Sequence, residues 1–130
     1  MKPPMKPTAL TQGEALAYAE EWVAKWNRRD VEAVLALFSE DVVFTSPLAA
    51  SIVGSARLEG KAMLRKYWTQ AIAAIQTLHF TLDYVIAEGD RLAIVYVSEI
   101  NDKRIRAVEF LVFGSDGLIY EGEAMYGAAL

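Results

Sequence analysis

The stretch from residue 78 to residue 126 leaves this chain little choice of fold. It divides into four runs rich in β-branched and aromatic residues, at 78–87, 92–100, 105–113 and 118–126. Turn-forming residues separate them: Gly89-Asp90, Asp102-Lys103 and Ser115-Asp116-Gly117. That spacing predicts a four-strand antiparallel meander.

Upstream the period changes from two to 3.6. Thr11-x-x-Glu14 is a capping box and predicts a helix start. Leu16, Ala19, Trp22, Val23 and Trp26 then recur on one side, with Glu20, Glu21 and Lys25 opposite, out to Asn27. Asp30 is placed to cap a second, shorter helix carrying Val31, Val34, Leu35 and Phe38, stopped by Ser39-Glu40-Asp41. Residues 42–45 read as a short strand ending at Ser46-Pro47, because the residue before proline is pushed towards extended backbone. Residues 48–59 are rich in small residues and read as irregular. A third helix follows Gly60, with Leu64, Tyr67, Trp68, Ala71, Ile72 and Ile75 along one stripe. The predicted order is α-α-β-α-β-β-β-β, an α+β layer architecture with helices on one side of a mainly antiparallel sheet. Residues 1–10, with three of the four prolines and no periodicity, are expected to be a flexible arm, and residues 11–130 a single domain.

Composition narrows the function classes. The chain has 130 residues, 17 acidic and 13 basic, and a formal net charge of −4. That balance argues against nucleic acid as a partner. With no cysteine and one histidine, thiolate zinc sites, iron–sulfur clusters, thiol nucleophiles and histidine-rich metal sites have no ligands to build them. No cofactor is expected. Apolar residues make up 54% of the chain. The apolar run 92–97 is far shorter than a bilayer span, and the N-terminus has no apolar signal region. A cytoplasmic protein is expected, with its apolar excess filling a core, a pocket or an interface.

Strand pairing sharpens this. If Asp102-Lys103 is a two-residue turn, Glu99 faces Arg106 and Tyr96 faces Glu109. One sheet face then carries Ile94, Tyr96, Ser98, Ala107, Glu109 and Leu111. The other carries Val95, Val97, Val108, Phe110 and Val112, with Glu99 and Arg106 near the turn. Neither face is polar, whereas a sheet covered on one side alternates apolar and polar. Loops or the N-terminal arm are one way to cover the second face. A homodimer through it is the reading favoured by its breadth. On the first face Glu109 is a lone carboxylate among apolar residues. It needs a hydrogen-bond partner, with Tyr96 nearest in this register, or a raised pKa. A glutamate hydrated at the strand end, or paired with Arg106 or Lys103, is the plainer alternative.

Three stretches, in this order and spacing, resemble a known family. They are 26–33 (Trp-Asn-Arg-Arg-Asp-Val-Glu-Ala) leading to 37–44 (Leu-Phe-Ser-Glu-Asp-Val-Val-Phe); 59–68 (Glu-Gly-Lys-Ala-Met-Leu-Arg-Lys-Tyr-Trp); and 113–119 (Phe-Gly-Ser-Asp-Gly-Leu-Ile). Across residues 12–126 the chain resembles the SnoaL-like, or ketosteroid-isomerase-like, members of the nuclear-transport-factor-2-like superfamily. The resemblance implies a cone: a curved sheet around helices, open to a hydrophobic pocket, and dimerisation through the outer sheet face. It also implies a choice of activities, among them isomerisation, polyketide cyclisation, dehydration, epoxide hydrolysis and ligand binding without catalysis.

Residue matching limits that choice. The isomerases' catalytic aspartate, just before a proline after the first strand, matches Ser46, which without a histidine partner is no general base near neutral pH. Their oxyanion-binding tyrosine matches Trp22, whose indole N–H donates a hydrogen bond but supplies no proton. Their protonated acid on the penultimate strand matches Glu109. Ordinary steroid isomerisation is therefore not expected. Epoxide hydrolysis wants an aspartate–arginine–aspartate set. The scytalone-type dehydratases want two histidines, and only His79 exists, placed at a strand start. A cyclase-type proton transfer needs one pocket acid, and Glu109 meets that need. The expected site is thus Glu109 as proton carrier, helped by Tyr96 and Trp22. Trp26, Phe44, Ser46, Tyr67 and Leu111 complete a pocket for a small hydrophobic carbonyl compound. A non-catalytic module binding a ligand or a partner protein is the alternative. Trp26 and Trp68 also fit a plain core role. The side of the last strand that faces the cone, with Tyr126 or with Glu123, stays open.

Overall fold

A computed structural model describes residues 10–130. The arm expected over residues 1–10 lies outside the described residues except for Leu10, which packs on the core. The elements are α1 (Gln12–Asn27), α2 (Val31–Leu35), β1 (Phe38–Thr45), α3 (Pro47–Val53), β2 (Arg57–Glu59), α4 (Lys61–Ala73), β3 (Leu78–Glu88), β4 (Arg91–Ile100), β5 (Lys103–Phe113) and β6 (Ile119–Ala129). The predicted order is kept, with α3 and β2 inserted where an irregular segment was expected.

The capping box at Thr11 forms in both directions and starts α1. That helix buries Ala15, Ala19, Trp22, Val23 and Trp26, while Leu16, expected on the same stripe, turns outward. Asp30 caps α2 through the Ala33 amide at 3.1 Å. The helix stops at Leu35, earlier than the 39–41 stop expected. Phe38 instead opens β1, pairing with Ile119 of β6, so it is a strand residue, fully buried. Pro47 sits in the first turn of α3, where its missing N–H costs nothing. That helix ends at Gly54, whose φ of 88° suits glycine.

Six strands form one curved, open sheet in the order β2-β1-β6-β5-β4-β3. Among the described residues only β1 and β6 run parallel. Register shifts at Leu82/Tyr84, Ile105/Ala107 and Val112/Phe113 mark the irregularities that bend such a sheet. Helix α1 lies across the concave face, with α4 beside β1, and the core fills the space between.

The β4–β5 hairpin corrects the expected register. Ile100 faces Lys103, so the turn is Asn101-Asp102. Asn101 takes the left-handed conformation (φ 53°), which asparagine tolerates. Its Oδ1 accepts from the Gln76 and Thr77 amides at 2.9 and 3.1 Å, tying the turn to the loop after α4. Every pair slides by two residues. Glu99 therefore faces Arg104, not Arg106, and the two form an ion pair at 3.5 Å. Arg106 instead reaches Asp83 at 3.4 Å. Tyr96 faces Ala107, and Glu109 faces Ile94. Because the slip is even, the two faces keep their members.

On the convex face Val95 and Val112 are already buried within the chain, and Val97, Val108 and Phe110 are half-buried. Neighbouring strands extend the patch with Tyr84, Ile86 and Met125, which are 48%, 58% and 43% exposed. No helix among the described residues is long and apolar enough to cross a membrane.

Candidate functional site

The concave face carries Ile94, Tyr96 and Ser98 from β4 and Ala107, Glu109 and Leu111 from β5, all buried. Above them α1 supplies Trp22 and Trp26, and α4 supplies Tyr67 and Trp68. The helices and the sheet do not quite close. Between them lies a cavity of about 70 Å³, lined by Trp22, Trp26, Phe44, Ser46, Tyr67, Tyr96 and Glu109 together with Leu48, Trp68, Ala71, Ile72, Ile75, Leu78, Phe80, Ile100, Ala124 and Tyr126. Seven of the eight expected pocket residues meet there. Leu111 does not line it; it is fully buried next to Gly122.

Aromatic packing builds the walls. Trp22 stacks on Phe80 at 5.9 Å and meets Tyr96 edge-on at 5.1 Å. Trp26 meets Trp68 edge-on at 5.0 Å, and Trp68 meets Phe44 at 5.5 Å. Such offset and edge contacts hold rings in fixed orientations. Trp26 and Trp68 thus serve the core and the cavity wall at once.

Glu109 is 4% exposed, and its carboxyl makes no hydrogen bond among the described residues. The partner expected in Tyr96 does not materialise, because the register slide moves Ala107 opposite Tyr96. Burial pushes the Glu109 carboxyl well above the usual carboxylate range. That shift favours the protonated form, in which the carboxyl donates a hydrogen bond. Burial, and then the neighbouring Glu109, push the Tyr96 hydroxyl well above its usual range too. The Trp22 and Trp26 indole nitrogens are buried with no acceptor. The polar residues lining the cavity beside them are Glu109, Tyr96, Ser46, Tyr67 and Tyr126.

A second polar group sits where β1 meets α3. Ser46 is the N-cap residue of α3, yet its hydroxyl makes no cap bond. Fully buried, it lies 3.0 Å from the Tyr67 hydroxyl and 3.5 Å from that of Tyr126. Burial raises both tyrosines, so both stay protonated. Tyr126 settles the side of β6 that was open: it pairs with Ala107, and Ala124 with Glu109, so the Tyr126 side faces the cavity. The signal for it was parity, which needed the β5–β6 register to read. His79 is exposed, away from the cavity. No cluster of three or more metal-type ligands occurs among the described residues.

The family model for the SnoaL-like domain matches residues 19–122. The chain belongs to the SnoaL-like family. A SnoaL-like protein of unknown function from Burkholderia thailandensis is 31% identical, with 98% of this chain and 100% of that one covered and a TM-score of 0.82. A proposed ketosteroid isomerase from Kribbella flavida is 23% identical over 97% of this chain and 84% of that one, with a TM-score of 0.73. TerC, co-crystallised with polyporic acid, is 18% identical over 89% and 91%, with a TM-score of 0.71. No curated protein matches. The fold of this SnoaL-like domain is thus the nuclear-transport-factor-2-like cone, and its particular chemistry rests on its own residues.

Proposed function

We propose that this SnoaL-like domain binds a small, mainly apolar, neutral carbonyl compound in the cone. The observation that carries this reading is Glu109: a buried carboxyl on the cavity wall with no hydrogen-bond partner among the described residues. A carbonyl oxygen offers the acceptor that the carboxyl and the Tyr96 hydroxyl lack. No lysine, arginine or histidine lines the cavity among the described residues, which disfavours an anionic ligand. Co-crystallisation of the fold relative TerC with polyporic acid is consistent with an organic ligand in such a cone.

In the catalytic form of this proposal Glu109 passes its proton to the substrate and recovers it later, as in an isomerase or cyclase. Against it stands one observation: among the described residues no second carboxylate or histidine lines the cavity, and Ser46 stands where the isomerases keep their base. That favours binding without turnover as the second reading. One experiment separates them. Proton NMR in heavy water follows loss of the α-hydrogens of 4-phenylbutan-2-one. Catalysis predicts faster exchange with the wild type, abolished in Glu109→Gln while affinity holds. Binding alone predicts saturable affinity and no acceleration in either. No affinity for the ketone ends both readings.

We also propose that the convex face pairs with a second copy, through Val95, Val97, Val108, Phe110 and Val112. The broad exposure of Tyr84, Ile86 and Met125 around them supports this.

A further inference from the structure

The inner cavity is small. At about 70 Å³ it has roughly half the ~150 Å³ that admits a benzene ring. It accommodates a few heavy atoms and no ring. It does not end there, however. An open cleft of about 750 Å³ adjoins it, and the two share Leu48, Ile100 and Tyr126. Those three residues form a neck between a narrow inner chamber and a wide outer one.

The hydroxyl cluster stands at that neck. Ser46 contacts both tyrosine hydroxyls, and the two tyrosine hydroxyls also interact with each other. At 3.5 Å the Tyr126–Ser46 contact is long for an O–H···O bond, so Tyr126 gives up little by turning to another acceptor. Tyr126 also lines both chambers, which puts its hydroxyl beside anything that passes through the neck.

We propose that Ser46, Tyr67 and Tyr126 form a second polar subsite, and that the ligand is a neutral compound with a narrow carbonyl head and a second acceptor oxygen just behind it. A methyl ketone end enters the inner chamber towards Glu109. The second oxygen accepts from the hydroxyl cluster, and any ring stays in the outer cleft. A 1,3-diketone is the simplest such compound. This rests on the reading of the inner cavity as a carbonyl site.

Calorimetry with three probes in mildly acidic buffer tests it. 1-Phenylbutane-1,3-dione has the narrow head and both oxygens, 4-phenylbutan-2-one lacks the second oxygen, and 1,3-diphenylpropane-1,3-dione lacks the narrow head. The first should bind about tenfold tighter than the second, the worth of one hydrogen bond. In Tyr126→Phe, and independently in Ser46→Ala, that ratio should fall to about one. The diphenyl compound should bind at least about tenfold more weakly than the first. Equal binding of the first two by the wild type, or a ratio that survives both substitutions, overturns the subsite while leaving the carbonyl cavity standing. Equal binding of the diphenyl compound overturns the narrow head. Failure of all three probes to bind overturns the carbonyl cavity as well. Tyr126→Phe removes one hydroxyl from a partly exposed ring, and matching circular dichroism melts establish that it folds.

Discussion

The side-chain amide of Asn27 grips the backbone of Phe80 from both sides: its Nδ2 donates to the Phe80 carbonyl at 3.0 Å, and its Oδ1 accepts from the Phe80 amide at 2.7 Å. This clasp joins the end of α1 to the start of β3. It also fixes the ring of Phe80, which stacks on Trp22 and lies 4.7 Å from Tyr96 in the cavity wall. Asn27→Ala loses two part-buried hydrogen bonds and leaves both backbone groups of Phe80 seeking partners. We expect a loss of about 1–3 kcal/mol in urea unfolding. Asn27→Asp should recover part of it, since a carboxylate still accepts from the Phe80 amide. An Ala variant as stable as the wild type would show that the clasp contributes nothing.

Gly122 tests how tightly the sheet closes on the core. A Cβ there would lie 2.7 and 2.9 Å from two ring carbons of Phe44 and 3.5 Å from Leu111. The Phe44 ring is held edge-on by Phe38 at 6.1 Å and by Trp68, so it can give way only towards the cavity it lines. Gly122→Ala should destabilise by about 1–3 kcal/mol through overpacking. Gly122→Ala combined with Phe44→Leu should cost less than the two changes summed, and urea titration of the four proteins measures that coupling.

Glu109 sets a pH signature. Burial raises its folded pKa above that of the unfolded chain, so within the window between the two the folded state binds more protons. Rising pH therefore favours unfolding across that window. The contribution of Glu109 is fully present below the ordinary carboxyl pKa and lost as pH rises through the raised one. The wild type should lose melting temperature across that range faster than Glu109→Gln, and the variant should be the more stable on its alkaline side. Identical melting profiles would mean that Glu109 titrates normally.

The convex face makes a prediction about mass. Val108 is half-buried, flanked by Val95 on β4 and Met125 on β6. Sedimentation at micromolar concentration should give twice the chain mass for the wild type. Val108→Glu places a charge in the middle of the patch and should give a single chain with an unchanged fold. A monomeric wild type rules out the pairing.

Local chemistry was legible from the residues alone. The Thr11–Glu14 box, the Asp30 cap and the period-two runs each act over a few residues, so α1, the start of α2 and the four-strand meander could be placed without the fold. Parity also singled out Glu109, because an even slip in register leaves every side chain on its face. Tertiary structure decided what depends on contacts far apart in the chain. The position of the β4–β5 turn came from Asn101 gripping the loop after α4, and with it went the expected pairings of Tyr96 with Glu109 and of Glu99 with Arg106. Phe38 became a strand residue because Ile119, far along the chain, offers it a partner. The Ser46–Tyr67–Tyr126 cluster joins residues from a strand end, a helix and the last strand, and no local pattern announces it. The 54% apolar content said that something had to be lined. Only packing set the size of what was left open, because a cavity is the small difference between large filled volumes.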